Sequence, residues 1–141
     1  MAHWLMKSEP DVFGYDELEK KKTPEEWTGV RSFQARNNMQ KMQLGEEAFF
    51  YHSNIGKEIV GIMKVVALAH PDSTAEPNDK GKIVWECVDV AAVKRLPRPV
   101  TLEAIKADPK LKDMVLVNNS RLSVQPVSDA EWAHICKLGG L

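Results

Sequence analysis

The sequence predicts a mixed α+β barrel, and three observations lead there. Strand-like and helix-like segments follow in the order strand, helices, long strands, helices, strand, helix, which does not alternate as βαβ winding would. The long strand-like runs lie mid-chain and are joined by turn or loop composition. No internal repeat, low-complexity tract or linker divides the 141 residues, so one domain spanning 1–141 is expected.

The elements follow in chain order. His3 to Lys7 reads as a short edge-like strand, stopped by Ser8-Glu9-Pro10 because proline cannot sit centrally in a ladder. Asp16 to Lys22 is acidic early and basic late behind Gly14, the charge order of a helix. Thr23-Pro24-Glu25-Glu26 reads as a capping box on one helical turn that delivers Trp27. Arg31 to Gln43 carries Ala35, Met39 and Met42 on one helical stripe, with Arg36, Asn37, Asn38 and Lys41 on the polar side. Gly45 is placed to take a left-handed conformation at its stop.

Ala48 to His52 and Glu58 to Leu68 then read as a hairpin around Ser53-Asn54-Ile55-Gly56-Lys57, with Gly61 marking a bulge. Pro71 to Gly81 has loop composition, and no chemistry is assigned to it. Lys82 to Val93 forms the next long strand. Thr101 and Asp108-Pro109 start two short helices, over Thr101 to Ala107 and Pro109 to Met114. Arg121 to Gln125 reads as a last strand ended by Pro126. Ser128 and Glu131 cap a terminal helix whose Trp132, Ile135 and Leu138 face the core.

Bulk properties exclude several classes. Hydrophobic residues make up 43% and charged residues 28%, the mix of a folded globular chain. Nineteen Lys and Arg against twenty Asp and Glu leave a net charge of −1, so any nucleic acid must be bound locally and not by a general basic surface. No apolar run approaches a bilayer span, and the first residues lack the apolar segment of a secretory signal, so a cytoplasmic protein without membrane contact is expected. Cys87 and Cys136 are far apart and read as reduced, and His3, His52, His70 and His134 show no zinc-ligand spacing. No metal and no cofactor are expected.

The chain has no phosphate-binding glycine loop, dinucleotide fingerprint, zinc-protease helix or nucleophile elbow, and no catalytic residue is assigned. Instead, short polar residues beside aromatics cluster where strands end or helices start. Trp4 to Pro10, Trp27 with Gly29-Val30-Arg31, Gln34 to Asn37, Phe50 to Asn54, Val60 to Ile62 and Arg121 to Pro126 occur in one order along the chain. Together they resemble the EVE domain family over nearly the whole length. Ser32 and Asn38 depart from the residues common at those positions in the family.

The resemblance implies a PUA-like mixed β-barrel of about five to six strands flanked by short helices, related to YTH domains. It also implies a nucleic-acid-binding module for modified cytosine or adenine bases, methylated or hydroxymethylated, flipped into an aromatic pocket. The expected ligand-binding set is Lys7, Ser8, Trp27, Val30, Arg31, Asn37, Tyr51, His52, Ser53, Asn54, Ser123, Gln125 and Pro126.

Physically, a flipped base needs an aromatic face and hydrogen-bonding groups along its edge. Trp27 lies outside any periodic stripe and so reads as that face, whereas Trp4, Trp85 and Trp132 read as core. Ser8, Ser53, Asn54 and Gln125 suit base edges, although the two serines equally suit turn caps. The helix start near Arg31 suits an anion, and Lys7 and Arg31 at the rim would draw a buffer anion into an empty site; Arg31 and Arg36 equally suit acidic neighbours. His52 reads as a loop histidine. Lys7, Ser8, Trp27, Arg31, Tyr51, Ser53, Asn54, Ser123 and Gln125 are expected to line one concave site on a monomer. Two other classes stay open: an ASCH-like amidohydrolase using Lys7 and Glu9, and a module binding a peptide or small molecule.

Overall fold

The computed structural model describes residues 1–141. Six strands, β1 (His3–Ser8), β2 (Glu25–Glu26), β3 (Glu47–His52), β4 (Glu58–Pro71), β5 (Glu86–Thr101) and β6 (Val124–Val127), form one sheet in the order β2-β5-β4-β3-β1-β6. Helices α1 (Tyr15–Lys20), α2 (Phe33–Lys41), α3 (Leu102–Ala107), α4 (Val115–Asn118) and α5 (Asp129–Leu138) flank it, with a 3-10 turn at Pro109–Leu111. The mixed α+β class is as expected, but the sheet is open and not a closed barrel, since β2 and β6 are its edges and do not pair with each other. No helix is long and apolar enough to cross a membrane.

β1 is not the edge strand that Pro10 suggested. It pairs parallel with β3 and antiparallel with β6, and Pro10 lies beyond its end. Successive side chains point to opposite faces of a sheet, and both faces here are covered. Trp4 and Met6 therefore join one core cluster with Ala48 and Phe50, while Leu5 joins a second with Phe49 and Tyr51.

In the β3–β4 hairpin Phe50 faces Gly61 and Tyr51 faces Ile59, so Val60 is the extra residue of a bulge. The glycine beside it has a packing cause: a Cβ there would lie 2.5 Å from the Tyr15 ring. Tyr15 Oη donates to the Ile62 carbonyl at 2.8 Å, which seats α1 on the sheet.

Three local readings are corrected. Thr23 to Glu26 is not a helical turn: Glu25 pairs with Val90 and Glu26 with Asp89, and Trp27 N–H donates to Val88 O at 2.9 Å. Pairing with β5 satisfies backbone groups that a lone capped turn would leave in water. β5 starts at Glu86, later than expected, and runs past Val93 to Thr101. It accommodates Pro97 and Pro99 because its register against β4 slips there, from Arg95 opposite Gly61 to Val100 opposite Ile59. β6 includes Pro126, which an edge strand tolerates.

Pro109 to Met114, expected as a helix, forms a 3-10 turn over Pro109–Leu111 only, α2 starts at Phe33 and not at Arg31, and β6 starts at Val124 and not at Arg121. Ser32 caps α2 by accepting from Ala35 N–H, and Ala35, Met39 and Met42 are buried. Asn38, read as polar surface, is instead buried and donates Nδ2 to Val124 O at 2.7 Å, joining α2 to β6. Gly45 takes φ +84°. The Ser128–Glu131 capping box is present, and Trp132 stacks on Phe49 at 3.8 Å. Leu138, expected in the core, lies at the end of α5 and is 37% exposed.

Candidate functional site

The end of β1 and the segment from β2 to α2 enclose a cleft of about 250 Å³. Among the expected residues, Lys7, Ser8, Trp27, Val30, Arg31 and Ser123 line it. Val12, Phe13, Glu25 and Glu26 also line it and were not anticipated, because the first pair lies in a loop and the second pair was read as a helical turn.

Trp27 is both core anchor and cleft wall. It is 6% exposed and packs edge-on to Phe50 at 5.3 Å and Phe13 at 6.5 Å. Gly29 follows in a left-handed turn at φ +85°, and its N–H donates to Asp72 Oδ2 at 2.9 Å. Arg31 Nη1 donates to the same oxygen at 3.1 Å. The other oxygen, Asp72 Oδ1, accepts from Thr74 N–H at 2.7 Å and Thr74 Oγ1 at 2.6 Å.

Burial alone would raise the Asp72 pKa, but the bonds from Thr74, Gly29 and Arg31 outweigh it and hold the pKa at about 2. Asp72 lies in the loop to which the sequence assigned no chemistry. Its signal was the Asp-x-Thr spacing, a side chain bonding its own backbone two residues on. Ser8 Oγ donates to Phe13 O at 2.6 Å and so fixes the opposite wall as a turn cap.

A second cleft, of about 370 Å³, lies between the β3–β4 loop, α3 and α4. Lys7, Tyr51, Ser53 and Asn54 line it, together with Lys57, Leu102, Lys106, Leu116 and Ser120. The single concave site expected from sequence is thus two clefts that share Lys7. Lys7 Nζ donates to Ser120 O at 2.6 Å and lies 5.7 Å from the Tyr51 ring centroid, and burial lowers its pKa. Glu9 is held by Asn54 Nδ2, so Lys7 and Glu9 do not form the pair that an amidohydrolase reading would use.

Four expected residues line neither cleft. Asn37 is exposed on α2 and accepts from Arg36 Nη2 at 2.9 Å. His52 Nε2 accepts the Tyr15 N–H at 3.2 Å, and burial lowers its pKa, so it clamps β3 to α1. Gln125 is fully buried with Nε2 on Leu122 O at 2.8 Å. Pro126 is exposed on the edge strand opposite Trp4.

Trp85 was read as core but precedes β5 and is half-buried. It stacks on Phe33, which is 58% exposed, at 4.8 Å. Arg31 lies 5.7 Å from the Trp85 ring and Arg36 4.9 Å from the Phe33 ring, so an aromatic and arginine ledge adjoins the first cleft through Arg31.

Ligand atoms of Glu26, His70 and Cys87 lie within 4.8 Å of one another, a grouping from three strands that spacing along the chain did not reveal. Internal bonds account for it. His70 Nε2 pairs with Asp89 at 2.7 Å, His70 Nδ1 meets Pro71 O at 3.1 Å, and Glu26 accepts from Ser73 Oγ at 3.0 Å. Burial, then the charges of Asp72 and Glu26, push the Cys87 thiol up to about 12.

Residues 2–138 match the EVE domain family. The chain belongs to that family. This EVE domain is 38% identical to thymocyte nuclear protein 1 of Homo sapiens, over 97% of the chain and 73% of that protein. A crystal structure of an Agrobacterium tumefaciens protein superposes with a TM-score of 0.93 at 51% identity, covering 100% of this EVE domain and 94% of that chain. Human THYN1, solved in complex with 5-methylcytosine-containing DNA, superposes with a TM-score of 0.89 at 35% identity, covering 100% and 99%. An ASCH protein of Zymomonas mobilis, at 11% identity and a TM-score of 0.61, shares the fold alone.

Proposed function

We propose that this EVE domain binds nucleic acid carrying a modified base, with 5-methylcytosine the first candidate and the base held in the Trp27 cleft. The observation that carries the reading is the solved complex of human THYN1 with 5-methylcytosine-containing DNA, a relative that covers the whole of this chain. The chemistry of the cleft supports it. Trp27, Phe13 and Val30 offer an aromatic face and an apolar patch for a methyl group. Glu25, paired with Lys21, and Glu26, bonded to Ser73, keep carboxylate lone pairs beyond those bonds, the acceptors that a cytosine N4 amino group takes. Lys7 and Arg31 supply positive charge near the strand.

Moving a base out of its stack costs a few kcal/mol, which stacking and edge hydrogen bonds in the cleft must offset. The test is a titration against matched DNA and RNA oligonucleotides carrying one 5-methylcytosine, 5-hydroxymethylcytosine, N6-methyladenine or no modification. A preference of about tenfold or more for one modified base is expected, the discrimination a single methyl group supports in a fitted pocket. Equal affinity across the panel would overturn the reading.

A further inference from the structure

We propose that the second cleft, lined by Lys7, Lys57 and Lys106, is a phosphodiester site that takes the backbone of the nucleotide adjoining the base in the Trp27 cleft. This inference rests on the base-binding reading for its ligand and on separate residues for its evidence.

The chain carries a net charge of −1, yet this lining holds three lysines and no Asp or Glu. None of the three takes part in an ion pair of the fold. The one carboxylate bonded to a lining residue, Glu9 on Asn54, lies outside the lining. Like charges around one concavity repel, and an anion placed between them relieves that repulsion.

Lys7 is held in place by its side chain, and Lys57 and Lys106 by the backbone that carries them. Lys7 Nζ spends one of its three donors on Ser120 O and keeps the others. Asn54 and Lys57 both hold positive φ, 66° and 49°, a conformation non-glycine residues adopt at a cost and one that concentrates at binding sites. The Lys57 carbonyl accepts the Leu102 N–H at 2.8 Å, which ties the loop to the start of α3 and brings the Lys57 and Lys106 segments to one rim.

Tyr51, Leu102 and Leu116 give the cleft an apolar part, which suits a sugar-phosphate unit better than a bare ion. Lys7 belongs to both clefts, so a strand with its base in the first has an adjoining phosphate within reach of the second.

The test compares wild type with the Lys57→Met/Lys106→Met double variant on a single-stranded oligonucleotide bearing one 5-methylcytosine, with natural or neutral methylphosphonate linkages on either side of it. Both lysines are exposed, so the variant should fold as wild type does. The expected result is about a tenfold loss of affinity in the variant and a salt slope shallower by about 1.4, at about 0.7 per lost contact. The neutral linkages should weaken wild type clearly more than the variant, in which Lys7 and Arg31 are the cations that remain. Unchanged affinity and slope in the variant, or an equal penalty from neutral linkages in both proteins, would overturn the proposal.

Inorganic phosphate replacing chloride at fixed ionic strength should not displace the oligonucleotide; displacement by it would assign the cleft to free phosphate and overturn the phosphodiester assignment. The ratio of affinities for modified and unmodified oligonucleotide reports the base reading separately. If that ratio is one while the lysine effects persist, the base reading fails and the backbone site stands. Absence of any oligonucleotide binding by wild type would overturn both.

Discussion

Asp72 Oδ2 lies 3.1 Å from Arg31 Nη1, so a side chain fully buried in the loop after β4 holds the arginine at the rim of the Trp27 cleft. The same oxygen takes the Gly29 N–H, and one carboxylate therefore sets both the turn after Trp27 and the orientation of Arg31. Arg31 has an acidic partner, one of the two roles open to it in the sequence, and its side chain is still 40% exposed toward the cleft.

Asp72→Asn should cost about 2 kcal/mol, because the amide nitrogen that replaces one carboxylate oxygen leaves donors from Gly29 or Thr74 without an acceptor. Urea unfolding with an unchanged m-value is the measurement. Affinity for a modified oligonucleotide should fall as well, because the Gly29 turn forms the cleft wall. A stability loss below about 0.5 kcal/mol would show that the carboxylate does not hold the loop.

Asp72 also predicts a pH dependence. Its pKa is about 2 in the fold against an ordinary 3.8, so the folded state favours the ionised form. The resulting stabilisation, about 2 kcal/mol, is fully present above the unfolded value and is lost as pH falls from about 4 toward 2. Unfolding free energies of wild type and Asp72→Asn should therefore converge across that window. A constant difference between them would contradict the assignment.

Trp27 should separate folding from binding only when replaced conservatively. At 6% exposure, with Phe13 and Phe50 against its ring, Trp27→Ala should lose about 3–5 kcal/mol and report on folding. Trp27→Phe keeps an aromatic in the core and should retain the thermal transition within several degrees while weakening the modified oligonucleotide. Normal binding by a folded Trp27→Phe would remove Trp27 from the ligand's surroundings.

Gly61→Ala tests the seat of α1. Its Cβ would lie 2.5 Å from the Tyr15 ring, so the expected cost is about 2–3 kcal/mol and arises from the clash, since Gly61 has no left-handed backbone to protect. In a Tyr15→Ala background the added cost should vanish, and a double-mutant cycle on chemical denaturation would measure the coupling. Additive effects would place the constraint elsewhere.

What the sequence determined by itself was local. The Thr101 cap, the Ser128–Glu131 box and the Ala35, Met39 and Met42 stripe depend on contacts within a few residues, and each was legible as a short pattern. The β3–β4 hairpin and its bulge at Gly61 were legible for the same reason. The polar clusters carrying the EVE resemblance were visible too, and they contain every residue expected at the site. The tertiary structure decided which of those residues meet. Lys7 reaches Ser120 across 113 positions, Asn38 reaches Val124 across 86 and Arg31 reaches Asp72 across 41. Such contacts follow from sheet order and register, so only the assembled sheet made Glu25–Glu26 an edge strand, buried Gln125 and exposed Phe33. It also divided one expected site into two clefts joined at Lys7, because side chains from the end of one strand can face different neighbours on either side.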